Sequence, residues 1–178
     1  GISGIEALGE ILRRHRDDAG LSIELVEAGA RLLPGLPASL DADLRRLCEP
    51  YAVKFHTATT IASVSPKGVR LADGTRMRSE LTLWTAGLAP PALLRESGLA
   101  PPPQVWADVH PTLQSRHFDN VFVVGDAAQL PHAVGKQASN AIDMGALAAA
   151  NATRFLAERA LKPFRPAPKP VLIAFCDL

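Results

Sequence analysis

The stretch Asn120-Val-Phe-Val-Val-Gly-Asp-Ala-Ala128 decides the fold class of this chain. Its four apolar residues, Val121–Val124, predict a fully buried strand, and Gly125 directly after them allows the backbone to approach a ligand closely. Open α/β sheets bind their ligands at the carboxyl ends of the strands. The carboxylate of Asp126 is therefore a candidate for binding a cofactor hydroxyl. A turn-forming Gly-Asp pair after a core strand is the alternative interpretation.

Half of a glycine-rich motif stands at the start of the sequence. Gly1 and Gly4 precede a run with apolar residues at helical spacing, which Gly20 is predicted to end, and Leu21–Ala28 then predicts a strand with Glu27 near its end. In a dinucleotide-binding βαβ unit, GxGxxG precedes such a helix and an acidic residue follows about 20 positions later. Gly1 and Gly4 fit the second and third glycines. The alternative for these two glycines is an ordinary flexible terminus.

The chemistry of such a site is specific. Glycines let the backbone approach a pyrophosphate, the helix N-terminus attracts it, and the acidic residue accepts hydrogen bonds from the adenosine ribose hydroxyls. Glu27 would repel a 2′-phosphate and so favours NADH over NADPH, whereas the nearby Arg31 would weaken that preference. The first strand and the first glycine of the unit do not precede Gly1. We therefore expect the chain to be a fragment of a longer protein.

The remainder of the first half alternates in a way typical of a nucleotide-binding domain. Ser39 to Cys48 predicts a helix, with Cys48 as a small buried hydrophobe. Short strands are then predicted at 61–64, 69–72 and 76–77, which together form a three-stranded β-meander. Leu81–Thr85 predicts a further strand that rejoins the parallel sheet and places Ala86 and Gly87 at its ligand-facing edge.

The second half begins with a proline-rich crossing at Leu88–Pro103 and contains the 120–128 stretch. A long alanine-rich helix is predicted at Lys136–Leu161, with its N-terminus close to Asp126. Val171–Phe175 predicts a last strand. The fold class is α/β, with parallel sheets, one β-meander and two incomplete Rossmann-like domains at 1–87 and 88–178.

Composition excludes several classes of partner. The formal net charge is +1, from 19 basic and 18 acidic residues, which provides no field for nucleic acid. No apolar run reaches the roughly 18 to 20 residues of a membrane span. Cys48 and Cys176 lie far apart and form no CxxC pair, so neither a disulfide scaffold nor a metal site is indicated. A reducing cytoplasmic setting fits this cysteine usage.

Three motifs in this order resemble a known superfamily. They are Gly1-x-x-Gly4 with Glu27, then Leu83-Trp-Thr-Ala-Gly87, then Val121-Phe-Val-Val-Gly-Asp-Ala127. Together they are similar to the flavoproteins of the pyridine nucleotide-disulfide oxidoreductase superfamily, whose members bind FAD and NAD(P)H in two Rossmann-like domains. The Trp-Thr-Ala-Gly form is most similar to type II NADH dehydrogenases.

The resemblance assigns cofactor-binding roles by position. It implies that Gly1, Gly4 and Glu27 belong to the NADH site, with Thr85, Ala86 and Gly87 against the dinucleotide. It implies that Gly125 and Asp126 contact the ribitol of FAD, and that Lys136, Gln137 and Ala138 start the helix beside the pyrimidine side of the flavin. Catalytic side chains are not implied, because the cofactors supply the chemistry and the protein supplies orientation. Histidines 110, 117 and 132 are expected in solvated loops, with His132 the best candidate for lying near flavin.

The implied activity is hydride transfer from NADH to FAD and electron transfer to a quinone or similar acceptor. The resemblance also implies peripheral contact with the inner face of a membrane through regions outside this chain, and it leaves a homodimer open. One alternative is a sulfide:quinone oxidoreductase, for which Cys176 would be a reactive thiol, or another disulfide or ferredoxin-type reductase. An alternative of another class is a non-catalytic nucleotide-binding fragment. The FAD-binding unit with its own GxGxxG is absent from the sequence, so this stretch alone is expected to bind little FAD.

Overall fold

A computed structural model describes residues 1–168 and 170–177 of the chain. The chain forms two compact units, one of Gly1–Gly87 with the C-terminal segment that starts at Val171, and one of Leu88–Pro170. The C-terminal segment belongs to the first unit, whereas the sequence-based division grouped it with the second. Leu178, the last residue of that division, lies outside the described residues. The assignment of one cofactor to each unit stays a prediction.

The first unit combines two helices with two small sheets. In chain order its elements are α1 (Ile2–Arg14), β1 (Ile23–Val26), α2 (Ser39–Cys48), β2 (Val53–His56), β3 (Ile61–Ser65), β4 (Gly68–Leu71) and β5 (Arg76–Arg78). Strands β1 and β2 are parallel, with Ile23 opposite Val53. Strands β3, β4 and β5 form an antiparallel sheet in that order, which confirms the predicted meander.

Helix α1 ends earlier than predicted. Its last residue is Arg14, and the chain reaches Gly20 through a turn. The carboxylate of Asp18 accepts a hydrogen bond of 2.9 Å from the backbone N–H of Gly20. Because an aspartate that bonds the backbone two residues ahead stabilises a turn, it competes with continued helix. Helix α2, in contrast, has the predicted bounds.

The core of the first unit lies on one stripe of α1. Ile5, Leu8 and Leu12 are 2–3% exposed, and their spacing places them on the same helical face. The residues that complete this cluster are Leu32, Leu33, Leu44, Cys48 and Phe175. Phe175 comes from the C-terminal segment, where Val171–Phe175 is not a strand as predicted but an irregular segment packed on α1.

The strand predicted at Leu81–Thr85 is not formed. Leu81, Leu83 and Trp84 are 76%, 55% and 59% exposed in an irregular segment. In a doubly wound sheet, the strand before the glycine-rich turn lies between this segment and β1. Within the described residues β1 pairs only with β2, so the segment lacks the neighbour to which its backbone would hydrogen-bond.

The second unit is built around one long helix. In chain order its elements are α3 (Ala92–Glu96), β6 (Ala107–Asp108), a 3₁₀ turn (Gly125–Ala127), β7 (Ala128–Gln129) and α4 (Ala138–Leu156). Strands β6 and β7 form a short parallel pair. The buried residues of its core are Leu94, Ala100, Ala107, Val109, Leu113, Val123, Leu130, Met144 and Phe164.

The fully buried strand predicted at Val121–Val124 is also wrong. Phe122 makes an isolated antiparallel bridge to Gln114, and the Val123 N–H donates to the carbonyl of Leu113 at 2.9 Å. Val123 is buried at 8% exposure, whereas its apolar neighbours are partly exposed. The segment therefore pairs locally with the chain just before it instead of with parallel strands.

Helix α4 is shorter than predicted at both ends. It starts at Ala138, two positions after Lys136, because Gln137 is extended at the N-cap, with φ −138° and ψ 145°. It ends at Leu156, and Glu158 has a φ of 54°, in the left-handed region that terminates helices. Among residues 1–168 and 170–177, no helix is both long and apolar enough to cross a membrane.

Candidate functional site

In the first unit, the carboxylate of Glu27 lies beside the start of α1. Glu27 directly follows β1, and its Oε2 is 3.3 Å from the nitrogen of Gly1. Its Oε1 accepts a hydrogen bond of 2.8 Å from the N–H of Gly29. The Gly29 N–H is the largest cause that lowers the pKa of Glu27, and partial burial opposes it. The side chain is 17% exposed, so the carboxylate is held as an anion that a ligand can reach.

The segment after the meander also meets the start of α1. A methyl group on Gly4 would lie 2.7 Å from the Thr85 hydroxyl oxygen, so the two residues are in close contact. Thr85, Ala86 and Gly87 are all exposed, and Gly87 has a φ of 104°, which favours glycine. These residues therefore lie near the first turn of α1 without forming the predicted strand.

Together these contacts bring Gly4, Glu27 and Thr85 to the N-terminus of α1. No side chain caps the helix at Gly1, so its first N–H groups are available to an anion. Gly4 lets Thr85 approach the first turn of the helix closely, and Glu27 supplies an acceptor beside the start of the helix. The arrangement can hold a phosphate at the helix end and a hydroxyl at the carboxylate.

In the second unit, Gly125 brings its turn close to α4. Its φ is 64°, and a methyl group there would lie 3.2 Å from the Cβ of Ala141. Its N–H donates to the Met144 sulfur at 3.2 Å. Gly125 thus packs against α4 and orients Asp126, which is exposed. Only glycine combines this backbone conformation with this clearance at no cost.

A cavity of about 210 Å³ lies between that turn and the start of α4. Four residues of the proposed flavin site line it, namely Gly125, Asp126, Lys136 and Gln137, and Ala138 follows as the first residue of α4. His132, expected in a solvated loop and as the best candidate among the histidines for lying near flavin, lines the same cavity. The Asn140 side chain donates to the Gly135 carbonyl at 2.9 Å and closes the loop before the helix.

Lys136 is fixed at this cavity by two contacts. Its ammonium donates to the backbone carbonyl of Asp126 and lies 3.6 Å from the centroid of the Trp106 ring. Trp106 is not among the site residues that the sequence analysis predicts. A tryptophan beside a polar loop was the only sequence signal, and it does not reveal which cation the ring contacts.

Other groups among the described residues do not form a comparable site. Within residues 1–168 and 170–177, no cluster of three or more His, Cys, Asp or Glu residues could hold a metal ion. A cavity of about 300 Å³ lies at the C-terminus of α1, beside Tyr51 and Val53, and none of the predicted site residues lines it. Cys48 and Cys176 belong to the apolar cluster on α1. Burial, followed by the nearby Cys176, raises the pKa of Cys48 to about 11, and burial raises the pKa of Cys176.

Comparison with known proteins identifies a family and individual relatives of this chain. The sequence model of the pyridine nucleotide-disulphide oxidoreductase family matches residues 1–145. A type II NADH:quinone oxidoreductase from Haemophilus influenzae is 29% identical over 166 residues, covering 90% of this chain and 37% of the relative. The NADH dehydrogenase-like protein YutJ from Bacillus subtilis is 30% identical over 141 residues, covering 79% and 39%.

A solved structure gives the same fold. The crystal structure of a ferredoxin reductase from Rhodopseudomonas palustris matches with a TM-score of 0.73 at 19% identity, covering 94% of this chain and 42% of that chain. At this identity the match concerns the fold alone. The chain therefore spans about two-fifths of the length of the proteins it matches.

Proposed function

This chain belongs to the pyridine nucleotide-disulphide oxidoreductase family, and we propose that the complete gene product passes a hydride from NADH to FAD and electrons on to a quinone. The observation that carries the proposal is the meeting of Gly1, Gly4, Glu27 and Thr85 at the N-terminus of α1. Residues of these types bind dinucleotides in βαβ units, and here they come from three separate parts of the first unit. The quinone acceptor is supported by the name of the H. influenzae relative.

The residues of the first unit fit a dinucleotide. Helix α1 has 13 residues and begins without a side-chain cap, so its N–H groups and dipole favour a pyrophosphate. The Glu27 carboxylate would accept hydrogen bonds from the adenosine ribose and would repel a 2′-phosphate. We accordingly propose NADH as the preferred donor.

The residues of the second unit fit part of FAD. A cavity of about 210 Å³ is smaller than the sites that enclose a whole drug-sized ligand, so the fit concerns one portion of the cofactor. Asp126 would hold a ribitol hydroxyl, while Lys136, Gln137 and the first turn of α4 would face the pyrimidine side. When bound, FAD supplies the two-electron chemistry, and these residues bind and orient it.

The sulfide:quinone alternative receives less support from the cysteines. A reactive cysteine is typically exposed and has a lowered pKa. Cys176 has a raised pKa and packs against the apolar cluster of the first unit, and Cys48 is 2% exposed. Neither thiol therefore has the exposed, low-pKa surroundings of a redox-active cysteine.

The proposed donor is tested by the absorption spectrum of the complete gene product during titration with NADH. We expect a yellow protein whose visible flavin band bleaches with NADH and returns with a quinone. Glu27→Gln should raise KM for NADH about tenfold, because the ribose loses a charged acceptor. It should also reduce the preference for NADH over NADPH, because the negative charge that would repel a 2′-phosphate is removed. The matched control is Glu24→Gln, in the strand β1 that precedes Glu27; the Glu24 carboxylate lies 2.9 Å from Nε2 of His56.

The outcomes separate a quinone reductase, a reductase with another acceptor and a non-catalytic module. A colourless product would contradict the flavoenzyme and favour the non-catalytic module. Bleaching by NADH with return by ferredoxin but not by a quinone would contradict the acceptor only. Equal NADH affinity in Glu27→Gln and Glu24→Gln would show that Glu27 does not contact the ribose.

A further inference from the structure

The ammonium of Lys136 has an unusual environment for an exposed lysine. It lies 3.6 Å from the Trp106 ring centroid and donates to the carbonyl oxygen of Asp126. A lysine side chain has four rotatable carbon–carbon bonds and normally keeps its ammonium mobile in water. Contact with the face of an indole ring and a hydrogen bond to a carbonyl together restrict it to one position.

Trp106 is itself held in place by the second unit. It packs against the buried cluster that includes Ala107 and Val109 and directly precedes β6. Ala107 and Val109 are both fully buried, at 0% exposure. The ring is therefore a rigid platform against which the exposed Lys136 side chain is held.

The cavity that Lys136 lines has a defined electrostatic character. Among the described residues that line it, Asp126 and Lys136 are the only ones with a full charge at neutral pH. The backbone N–H groups at the start of α4 add positive potential, because no side chain caps this 19-residue helix. A group that gains negative charge in this cavity would be stabilised by the Lys136 ammonium and by the N–H groups at the start of α4.

We propose that Trp106 is a positioning residue that fixes the Lys136 ammonium at this cavity, where its charge stabilises the pyrimidine side of reduced FAD. This inference rests on the proposed function, in which the cavity holds part of the flavin. Reduction places negative charge on the pyrimidine edge, so a fixed ammonium nearby favours the reduced form. Without the ring, the ammonium moves into water and its effect on the flavin weakens.

Sulfite affinity of the oxidised flavin measures this charge without turnover. Sulfite donates an electron pair to form a bond with flavin N5, and the displaced electron pair gives the pyrimidine side the negative charge of the adduct. A cation at that edge therefore tightens sulfite binding, which is followed by bleaching of the visible band. We expect Lys136→Gln to weaken sulfite binding at least tenfold and Lys136→Arg to retain most of it.

Trp106 variants separate positioning from a general structural role. Trp106→Leu should weaken sulfite binding about threefold to tenfold, and the Lys136→Gln/Trp106→Leu double variant should match Lys136→Gln alone, because the ring acts through the lysine. Trp106→Phe keeps an aromatic face and should stay close to wild type, which also covers the case in which the leucine variant does not fold. Lys67→Gln, in an exposed turn of the first unit, controls for the loss of one positive charge.

The results distinguish this inference from the proposed function. A protein that binds FAD and is reduced by NADH, but whose sulfite affinity is the same in Lys136→Gln, would overturn the inference and leave the function intact. Additive effects of the two substitutions would overturn the role of Trp106. A protein without FAD would overturn the proposed function and this inference with it.

Discussion

A methyl group on Gly4 would lie 2.7 Å from the hydroxyl oxygen of Thr85. The first turn of α1 and the segment after the meander are thus in contact, although they are far apart in sequence. The Thr85 side chain is exposed, so its hydroxyl can rotate away from an added methyl group at little cost. A glycine at this point keeps the helix end open more than it relieves strain.

Gly4→Ala should therefore affect binding more than stability. The free energy of unfolding should change by less than about 1 kcal/mol, because alanine is the better helix former and Thr85 can adjust. The methyl group would push Thr85 away from the first turn of α1 and so disturb the proposed NADH site, and KM for NADH should rise about tenfold. Steady-state kinetics and urea unfolding on the same preparation measure both effects.

Gly4→Ala/Thr85→Ala is the matched control. Removing the hydroxyl relieves the contact with the added methyl group, so the KM for NADH should return towards the wild-type value. A KM that stays raised in the double variant would mean that Gly4 does not act through Thr85. A wild-type KM in Gly4→Ala itself would contradict the assignment of Gly4 to the NADH site.

Acid should weaken the contribution of Glu27 to stability. The folded state lowers the pKa of this carboxyl below 4.5, chiefly through the Gly29 N–H, so the ionised form is favoured on folding. The resulting stabilisation is present above pH 4.5 and is lost as the pH falls through the folded pKa. Glu27→Gln should cost about 1 to 1.5 kcal/mol at pH 7, the difference between a hydrogen bond to a charged acceptor and one to a neutral acceptor, and clearly less at pH 3.

Urea unfolding of both proteins from pH 7 to pH 3 measures this difference. Subtracting the two unfolding free energies at each pH removes the contributions of all other carboxyl groups. A difference that stays constant across the series would mean that Glu27 has the same pKa in the folded and unfolded states.

The sequence predicted local structure better than sheet membership. The bounds of α2 and the three strands of the meander are predicted by helix caps, turn residues and the alternation of apolar and polar residues. Each of these signals lies within a few residues of the element that it predicts. Strands at Leu81–Thr85 and Val121–Val124 were predicted from apolar composition alone. A buried strand also needs hydrogen-bonding neighbours on both sides, and within the described residues these segments have none in a parallel sheet.

The same limit applies to the candidate site, where local sequence patterns predict some contacts and not those that depend on tertiary packing. The proximity of Glu27 to the start of α1 is expected from the spacing of a βαβ unit, and the structure places the Glu27 carboxylate beside the first residue of the chain. The contact between Trp106 and Lys136 depends on how one loop packs against another, which no local pattern encodes. Their roles toward cofactors stay predictions.

Gly9 permits the C-terminal segment to lie on α1. A methyl group there would be 2.8 Å from both the Phe175 Cα and the Cys176 nitrogen, and backbone atoms cannot rotate away. Gly9→Ala should therefore destabilise the first unit by about 1 to 3 kcal/mol, as overpacking does, even after a gain of about 1 kcal/mol in helix propensity. Urea unfolding gives the value.

Gly145→Ala in α4 is the matched helical control, because nothing lies within 4 Å of the added methyl group. It should stabilise the second unit by about 0.5 to 1 kcal/mol. Equal effects of the two substitutions would contradict the packing of the C-terminal segment against Gly9.

Asn151 connects three parts of the second unit from a fully buried position on α4. Its amide nitrogen donates to the carbonyls of Thr112 at 2.9 Å and Lys162 at 2.8 Å, and its oxygen accepts from the Lys162 N–H at 2.9 Å. A polar residue in an alanine-rich helix gave no sequence signal for this role. At 0% exposure, any group left without its partner cannot turn to water.

Asn151→Leu keeps a similar volume but leaves three backbone groups without their partner. We expect a loss of about 3 to 5 kcal/mol in unfolding free energy, since each buried unsatisfied group costs about 1 to 3 kcal/mol and local relaxation recovers part of it. Thr153→Ala, on the exposed side of the same helix, should change it by less than about 0.5 kcal/mol. Asn151→Asp should also be destabilising, because its carboxylate would face two carbonyl oxygens instead of donating to them. A stability of Asn151→Leu equal to that of Thr153→Ala would show that these three hydrogen bonds do not hold the loop at Lys162 to the helix.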